Sequence, residues 1–135
     1  MSTASEGPTD GVWCIVVAAG SGRRFGAPKQ FERIGDERVV DRSVRIAASV
    51  CDGVVLVLPS AAASEVVEHA TVTVAGGATR SESVRRGLDR VPPDAIVLVH
   101  DAARPLASPD LFERIIAAVR DGAAAAVPVI AVADT

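Results

Sequence analysis

Val12-Trp13-Cys14-Ile15-Val16-Val17 runs directly into Ala18-Ala19-Gly20-Ser21-Gly22-Arg23-Arg24-Phe25-Gly26-Ala27-Pro28-Lys29. A short, almost continuous apolar run fits a strand buried on both faces of a parallel sheet. Comparable runs recur at residues 54–58, 71–74, 95–99 and 126–132. Helical patterns lie between them. Val40, Val44, Ala47, Ala48 and Cys51 fall on one helical face. Ser60 is placed to cap a short helix reaching His69. Thr79 and Glu82 form a T-x-x-E capping box, followed by Val84, Leu88 and Val91 on one face. Ser108-Pro109 reads as a cap and first-turn proline. Leu111, Ile115, Ala118 and Val119 then line a face, and Gly122 ends the helix. Residues 31–39 fit a small hairpin turning at Gly35-Asp36. Strand and helix alternate throughout, which predicts an α/β fold: a doubly wound, mostly parallel sheet with helices on both faces.

Composition agrees. The chain has 135 residues, 49% hydrophobic and only 3% aromatic, so one core built from Val, Ala, Ile and Leu is expected. Net charge is −3 and the pI about 5.3, which speaks against nucleic acid as a partner. Cys14 and Cys51 lack metal-type spacing and read as reduced core thiols of a cytoplasmic protein. No apolar run approaches the roughly 18 residues of a membrane span. Residues 1–10 are small and polar and read as a disordered tail, leaving 11–135 as the domain.

In sheets of this kind ligands bind beyond the carboxyl ends of the strands. Three such ends carry chemistry. The first is the loop from Ala18 to Lys29. Its small residues allow close backbone approach, and successive N–H groups suit an anion. It fits neither standard glycine template. Both G-x-G-x-x-G and G-x-x-x-x-G-K-[ST] require glycine at position 25, which is Phe25. A tight turn with solvated Arg23, Arg24 and Lys29 remains the plain alternative. Lys29 is the chain's single lysine, since the other basic residues are arginines. The second end is Asp101, after the run at 95–99, within His100-Asp101-Ala102-Ala103-Arg104-Pro105. Mg²⁺ takes one or two carboxylates plus phosphate oxygens and water, so one Asp suffices there. The alternatives are a helix cap or an ion pair with Arg104. His100 is expected to pack at the strand end. The third end is Gly76-Gly77-Ala78-Thr79-Arg80-Ser81-Glu82-Ser83, where Arg80 and Ser83 offer donors; taken alone it reads as a strand-to-helix turn.

Together these segments resemble the 2-C-methyl-D-erythritol 4-phosphate cytidylyltransferases of the non-mevalonate isoprenoid pathway. The resemblance runs from Val12 to Thr135. Its most specific parts are residues 16–24 with Pro28-Lys29-Gln30, then Gly76-Gly77 with Arg80 and Ser83-Val84, and residues 97–105. The pair Ala102-Ala103 separates it from the polyol-phosphate cytidylyltransferases. The resemblance implies a Rossmann-like nucleotidyltransferase fold and transfer of a cytidylyl group from CTP to 2-C-methyl-D-erythritol 4-phosphate, with Mg²⁺. It implies that Arg24 and Lys29 stabilise the transition state. It places Ala18, Ala19, Gly20, Ser21, Gly22, Gly77, Arg80, Ser83 and Ala102 around the nucleotide. It makes Asp101 the metal ligand and puts Arg104 and Thr135 near the sugar-alcohol phosphate, Thr135 serving a neighbouring subunit of a homodimer. Val17 stands where proline is common, and Ala78 where a polar or acidic residue is. Family members run beyond Thr135, so the sheet is expected to be incomplete at its C-terminal end. Two alternatives stay open: a cytidylyltransferase for another sugar or polyol phosphate, and a nucleotide-binding module without turnover. A dinucleotide-binding oxidoreductase is disfavoured by the glycine spacing and by Pro59-Ser60, which supplies no ribose-binding acid.

Overall fold

The computed structural model describes residues 11–20, 31–104 and 108–126. The elements in chain order are β1 (Val12–Val17), β2 (Arg33–Ile34), β3 (Glu37–Arg38), α1 (Val39–Val50), β4 (Gly53–Leu58), β5 (Val72–Ala75), α2 (Arg80–Leu88), β6 (Ile96–Asp101) and α3 (Pro109–Arg120). Four strands form one parallel sheet in the order β5-β4-β1-β6. The chain steps outward from β1 to β4 to β5, then returns to the other side of β1 for β6. The winding direction therefore reverses between β1 and β6, and the crevice outside such a reversal is where α/β sheets bind ligands.

Alternation along β1 sorts the two faces. Cys14 and Val16 enter the larger cluster with Val40, Val44 and Ala47 of α1 and Phe112 and Ile116 of α3. Ile15 enters the opposite cluster, with Val55 and Val57 of β4. That face is covered by α2, where Gly87 lets the helix lie directly on Ile15 and Val57. The sheet is thus wound on both faces, as the alternation of elements predicts. Both central strands are almost wholly buried, which is why their sequences lack a polar phase.

The ends are built as the sequence indicates, with some differences. Ser108 Oγ accepts from Leu111 N–H at 3.3 Å, and Pro109 opens α3. Gly122, at φ +114°, closes it: Gly122 N–H reaches Val119 O and Ala123 N–H reaches Ala118 O, the paired bonds of a Schellman end. Val39 begins α1 and is not part of the hairpin, which comprises only β2 and β3. The strands expected at 71–74 and 95–99 lie at Val72–Ala75 and Ile96–Asp101, so His100 and Asp101 are strand residues. The expected run at 126–132 falls outside the described residues beyond Ala126, as does the N-terminal segment 1–10.

One expectation fails and two are met only in part. No helix runs from Ser60 to His69; a single 3-10 turn, Ser60–Ala62, gives way to irregular chain. Only Val67 in that segment is buried while Val66 is 89% exposed, so there is no apolar stripe to hold a helix. On α2 the buried positions are Ser83 and Gly87, and Leu88 is exposed. Here small residues admit the sheet; of the expected stripe Val91 packs against the core and Val84 is half-buried, so the buried face is turned only part of a step from it. On α3 the buried pair is Phe112 and Ile116, with Ile115 and Val119 flanking, one position round from the expected stripe. Cys14 is buried, Cys51 half-buried, and both are free thiols. A hydrogen bond between them, with burial, raises the Cys14 pKa, and the same bond lowers that of Cys51.

Candidate functional site

Register brings the strand ends to one level. Val17, the last residue of β1, lies between Val57 of β4 and Asp101 of β6, and Leu58 lies opposite Ala75 of β5. Beyond these ends is an open cleft of about 770 Å³. It is lined by Val17–Gly20 at the end of β1, by Gly77–Arg80 and Ser83 from the β5–α2 connection and the first turn of α2, and by Asp101–Arg104 at the end of β6. The three segments singled out in the sequence therefore converge on a single cleft. Ala18, Ala19, Gly20, Gly77, Arg80, Ser83, Asp101, Ala102 and Arg104 all line it. Ser21, Gly22, Arg24, Lys29 and Thr135 lie outside the described residues.

The β5–α2 lip is held by its own cap. Thr79 Oγ1 accepts from Glu82 N–H at 3.1 Å, as the T-x-x-E pattern predicts. The reciprocal bond is shifted by one residue: Glu82 Oε2 accepts from Ala78 N–H at 3.0 Å. Ser83, 2% exposed, accepts the Gly77 N–H on Oγ at 3.1 Å. Arg86 donates to Gly76 O at 3.0 Å. At Gly76 the β5–α2 lip comes close to the β1 lip: a Cβ there would collide with the Ala19 methyl and sit 2.8 Å from Ser83 Oγ. Such contact requires glycine at Gly76 whatever its backbone angles.

The β6 lip is a turn. Arg104 N–H returns to Asp101 O at 3.0 Å, Ala102 N–H bonds Val17 O at 3.0 Å, and Ser43 Oγ of α1 donates to Ala102 O at 3.1 Å. Behind it His100 packs edge-on against Phe112, ring centroids 5.2 Å apart. Burial lowers the His100 pKa, against an opposing pull from the Asp101 charge. A neutral packing ring is what that environment favours.

Across the cleft Arg80 Nε donates to Asp101 Oδ1 at 3.1 Å. Asp101 is thus paired with Arg80, not with Arg104 as its plain alternative reading has it. Among the described residues no three His, Cys, Asp or Glu side chains gather as a metal cage. A lone carboxylate facing a cleft fits a hard cation completed by phosphate oxygens and water, and does not fit a preformed all-protein site. The sequence reading missed Ser43 and Arg86 as braces of the lips. Ser43 has a signal in the sequence, a polar residue inside the apolar stripe of α1.

A sequence profile of the 2-C-methyl-D-erythritol 4-phosphate cytidylyltransferases matches residues 12–135. The chain belongs to that family. The 2-C-methyl-D-erythritol 4-phosphate cytidylyltransferase of Streptomyces coelicolor is 45% identical over 90% of this chain and 50% of its own length. That of Rhodococcus opacus is 41% identical over 92% of this chain and 58% of its own. Among solved structures, the enzyme of that name from Thermus thermophilus superposes with a TM-score of 0.65 at 32% identity, covering 84% of this chain and 52% of that one. Rv0371c of Mycobacterium tuberculosis superposes with a TM-score of 0.71 at 26% identity, covering 82% and 61%. This cytidylyltransferase-family chain spans about half the length of the curated relatives it matches. No described helix is long and apolar enough to cross a membrane.

Proposed function

We propose that the cleft binds CTP with a divalent cation, Mg²⁺, and serves cytidylyl transfer to 2-C-methyl-D-erythritol 4-phosphate in isoprenoid precursor synthesis in the cytoplasm. An oxygen of the substrate phosphate attacks the α-phosphorus of CTP, the bond to the β-phosphate oxygen breaks, and pyrophosphate leaves. The attacking phosphate is already anionic, so no strong general base is needed. The barrier lies in charge repulsion and alignment, which positioned cations and donors relieve. Asp101 would hold the cation, which when bound supplies charge neutralisation at the phosphates. Arg24 and Lys29 act on the transition state. Ala18, Ala19, Gly20, Ser21, Gly22, Gly77, Arg80, Ser83 and Ala102 cradle the nucleotide. Arg104 binds the sugar-alcohol phosphate with Thr135 of a second copy, in a homodimer.

The observation that carries this reading is the meeting of three small-residue strand ends with one carboxylate at the sheet's reversal point. It is tested by pyrophosphate release from CTP with a panel of sugar and polyol phosphates. Preference for 2-C-methyl-D-erythritol 4-phosphate is expected, with Asp101→Asn weakening the Mg²⁺ dependence. Equal turnover of another polyol phosphate, or an unchanged Mg²⁺ titration in Asp101→Asn, would contradict it.

A further inference from the structure

Two polar side chains are buried among the described residues, Ser43 at 1% exposure and Ser83 at 2%. They sit on helices packed against opposite faces of the sheet, and each is bonded to one lip of the cleft. Ser83 belongs to the nucleotide surface already proposed. Ser43 does not line the cleft at all.

A serine inside a helix ordinarily turns its hydroxyl back to a carbonyl of the preceding turn. Ser49, on the same helix, does so, donating to Ile46 O at 2.6 Å. Ser43 instead reaches 59 residues along the chain to Ala102 O, at 3.1 Å. It stands between Val40 and Val44, both fully buried, where an alanine or small apolar residue would serve packing alone. The carbonyl it holds belongs to the residue directly after Asp101. With Ala102 N–H on Val17 O and Arg104 N–H on Asp101 O, the Asp101–Arg104 turn is held by three hydrogen bonds. Two of those bonds lie within the cleft-forming backbone. The third, from Ser43, is the one that anchors the turn to α1.

We propose that Ser43 is a positioning residue for Asp101 and Arg104, setting the direction in which the turn presents its carboxylate and guanidinium to the cleft. Loss of its hydroxyl leaves Ala102 O without that donor and lets the Ala102–Ala103 peptide, between Asp101 and Arg104, rotate. The inference rests on the reading of Asp101 as the cation ligand. Side chains that orient a ligand typically change metal affinity by about 10–100-fold when removed.

The test measures binding of Mn²⁺–CTP by electron paramagnetic resonance, alongside thermal melting, for wild type, Ser43→Ala, Ser43→Thr, Asp101→Asn and the Ser43→Ala/Asp101→Asn double variant. Ser43→Ala is expected to bind about 10-fold more weakly, at the low end of that range. Ser43→Thr, which keeps a hydroxyl, should recover most of the affinity. The double variant should bind no more weakly than Asp101→Asn alone, because two residues acting through one ligand are not additive. If Ser43→Ala does not fold, Ser43→Cys takes its place with the same expected weakening. A lower melting temperature with wild-type Mn²⁺–CTP affinity overturns the inference and makes Ser43 a core hydrogen bond only. Wild-type affinity in Asp101→Asn overturns the reading of Asp101 beneath it, so the two failures are distinct.

Discussion

Arg80 and Asp101, from lips on opposite sides of the cleft, meet at 3.1 Å between Nε and Oδ1. Their side chains are 59% and 37% exposed, and pairs so exposed are worth about 0.2–1 kcal/mol. A link that weak is exchangeable. On the proposed reading a divalent cation at Asp101 would compete with it and release Arg80 toward the phosphates.

Arg80→Ala is therefore expected to have opposite effects on two ligands. Mn²⁺ alone should bind tighter, by no more than about five-fold, the equivalent of losing that pair. CTP with Mn²⁺ should bind more weakly. Titration of both, by calorimetry or paramagnetic resonance, checks this; a parallel change in the two affinities would count against the exchange.

Gly76→Ala is expected to damage the site from inside. The new methyl would overlap the Ala19 methyl and crowd Ser83 Oγ, so the first and third strand-end segments must separate. Overpacking of this kind typically costs about 1–3 kcal/mol. Thermal melting should show the loss, and a CTP titration should show weakened binding beyond what the remaining folded fraction explains.

Gly87→Ala probes the fold without touching the cleft. Alanine gains helix propensity, by about 1 kcal/mol over glycine. Its Cβ would however lie 2.7 Å from Ile15 Cγ2, and Ile15 is fully buried with no room to yield. The steric cost is expected to win, lowering the melting temperature while CTP affinity of the folded protein holds. A higher melting temperature would show that α2 lifts off the sheet cheaply.

Lys29→Ala is predicted to lower cytidylyl transfer by roughly 10²–10³-fold, the usual cost of one donor to a developing anionic transition state. Its melting temperature should stay near that of wild type. Pyrophosphate release measures it, and near-wild-type turnover would remove Lys29 from the assigned machinery.

Much of this was legible in the sequence because it rests on local rules. Val12–Val17 reads as a doubly buried strand since both its faces are covered, and Ser108-Pro109 and Gly122 end α3 as their backbone preferences require. The cleft segments followed from strand ends, because register in a parallel sheet levels those ends, while the individual residues came from the family resemblance. What stayed hidden depends on tertiary contact. The buried face of α2 is made by Ser83 and Gly87, which carry no apolar signal; their value lies in letting Ile15 and Val57 approach. The segment at 60–69 had a plausible cap but only Val67 to bury, so cap chemistry without a stripe misled. Ser43 could not be assigned to Ala102 without knowing that α1 packs across β1 and beside α3, within reach of the turn after β6.

The central claim is that the crevice between β1 and β6 is the CTP site. Amide chemical-shift mapping during titration with CTP–Mg²⁺, with NAD as comparison, tests it most directly. The account predicts saturable shifts at Ala18–Gly20, Gly77–Ser83 and Asp101–Arg104 with CTP–Mg²⁺ and little response to NAD. Shifts centred elsewhere on the sheet, or an equal response to NAD, would contradict it.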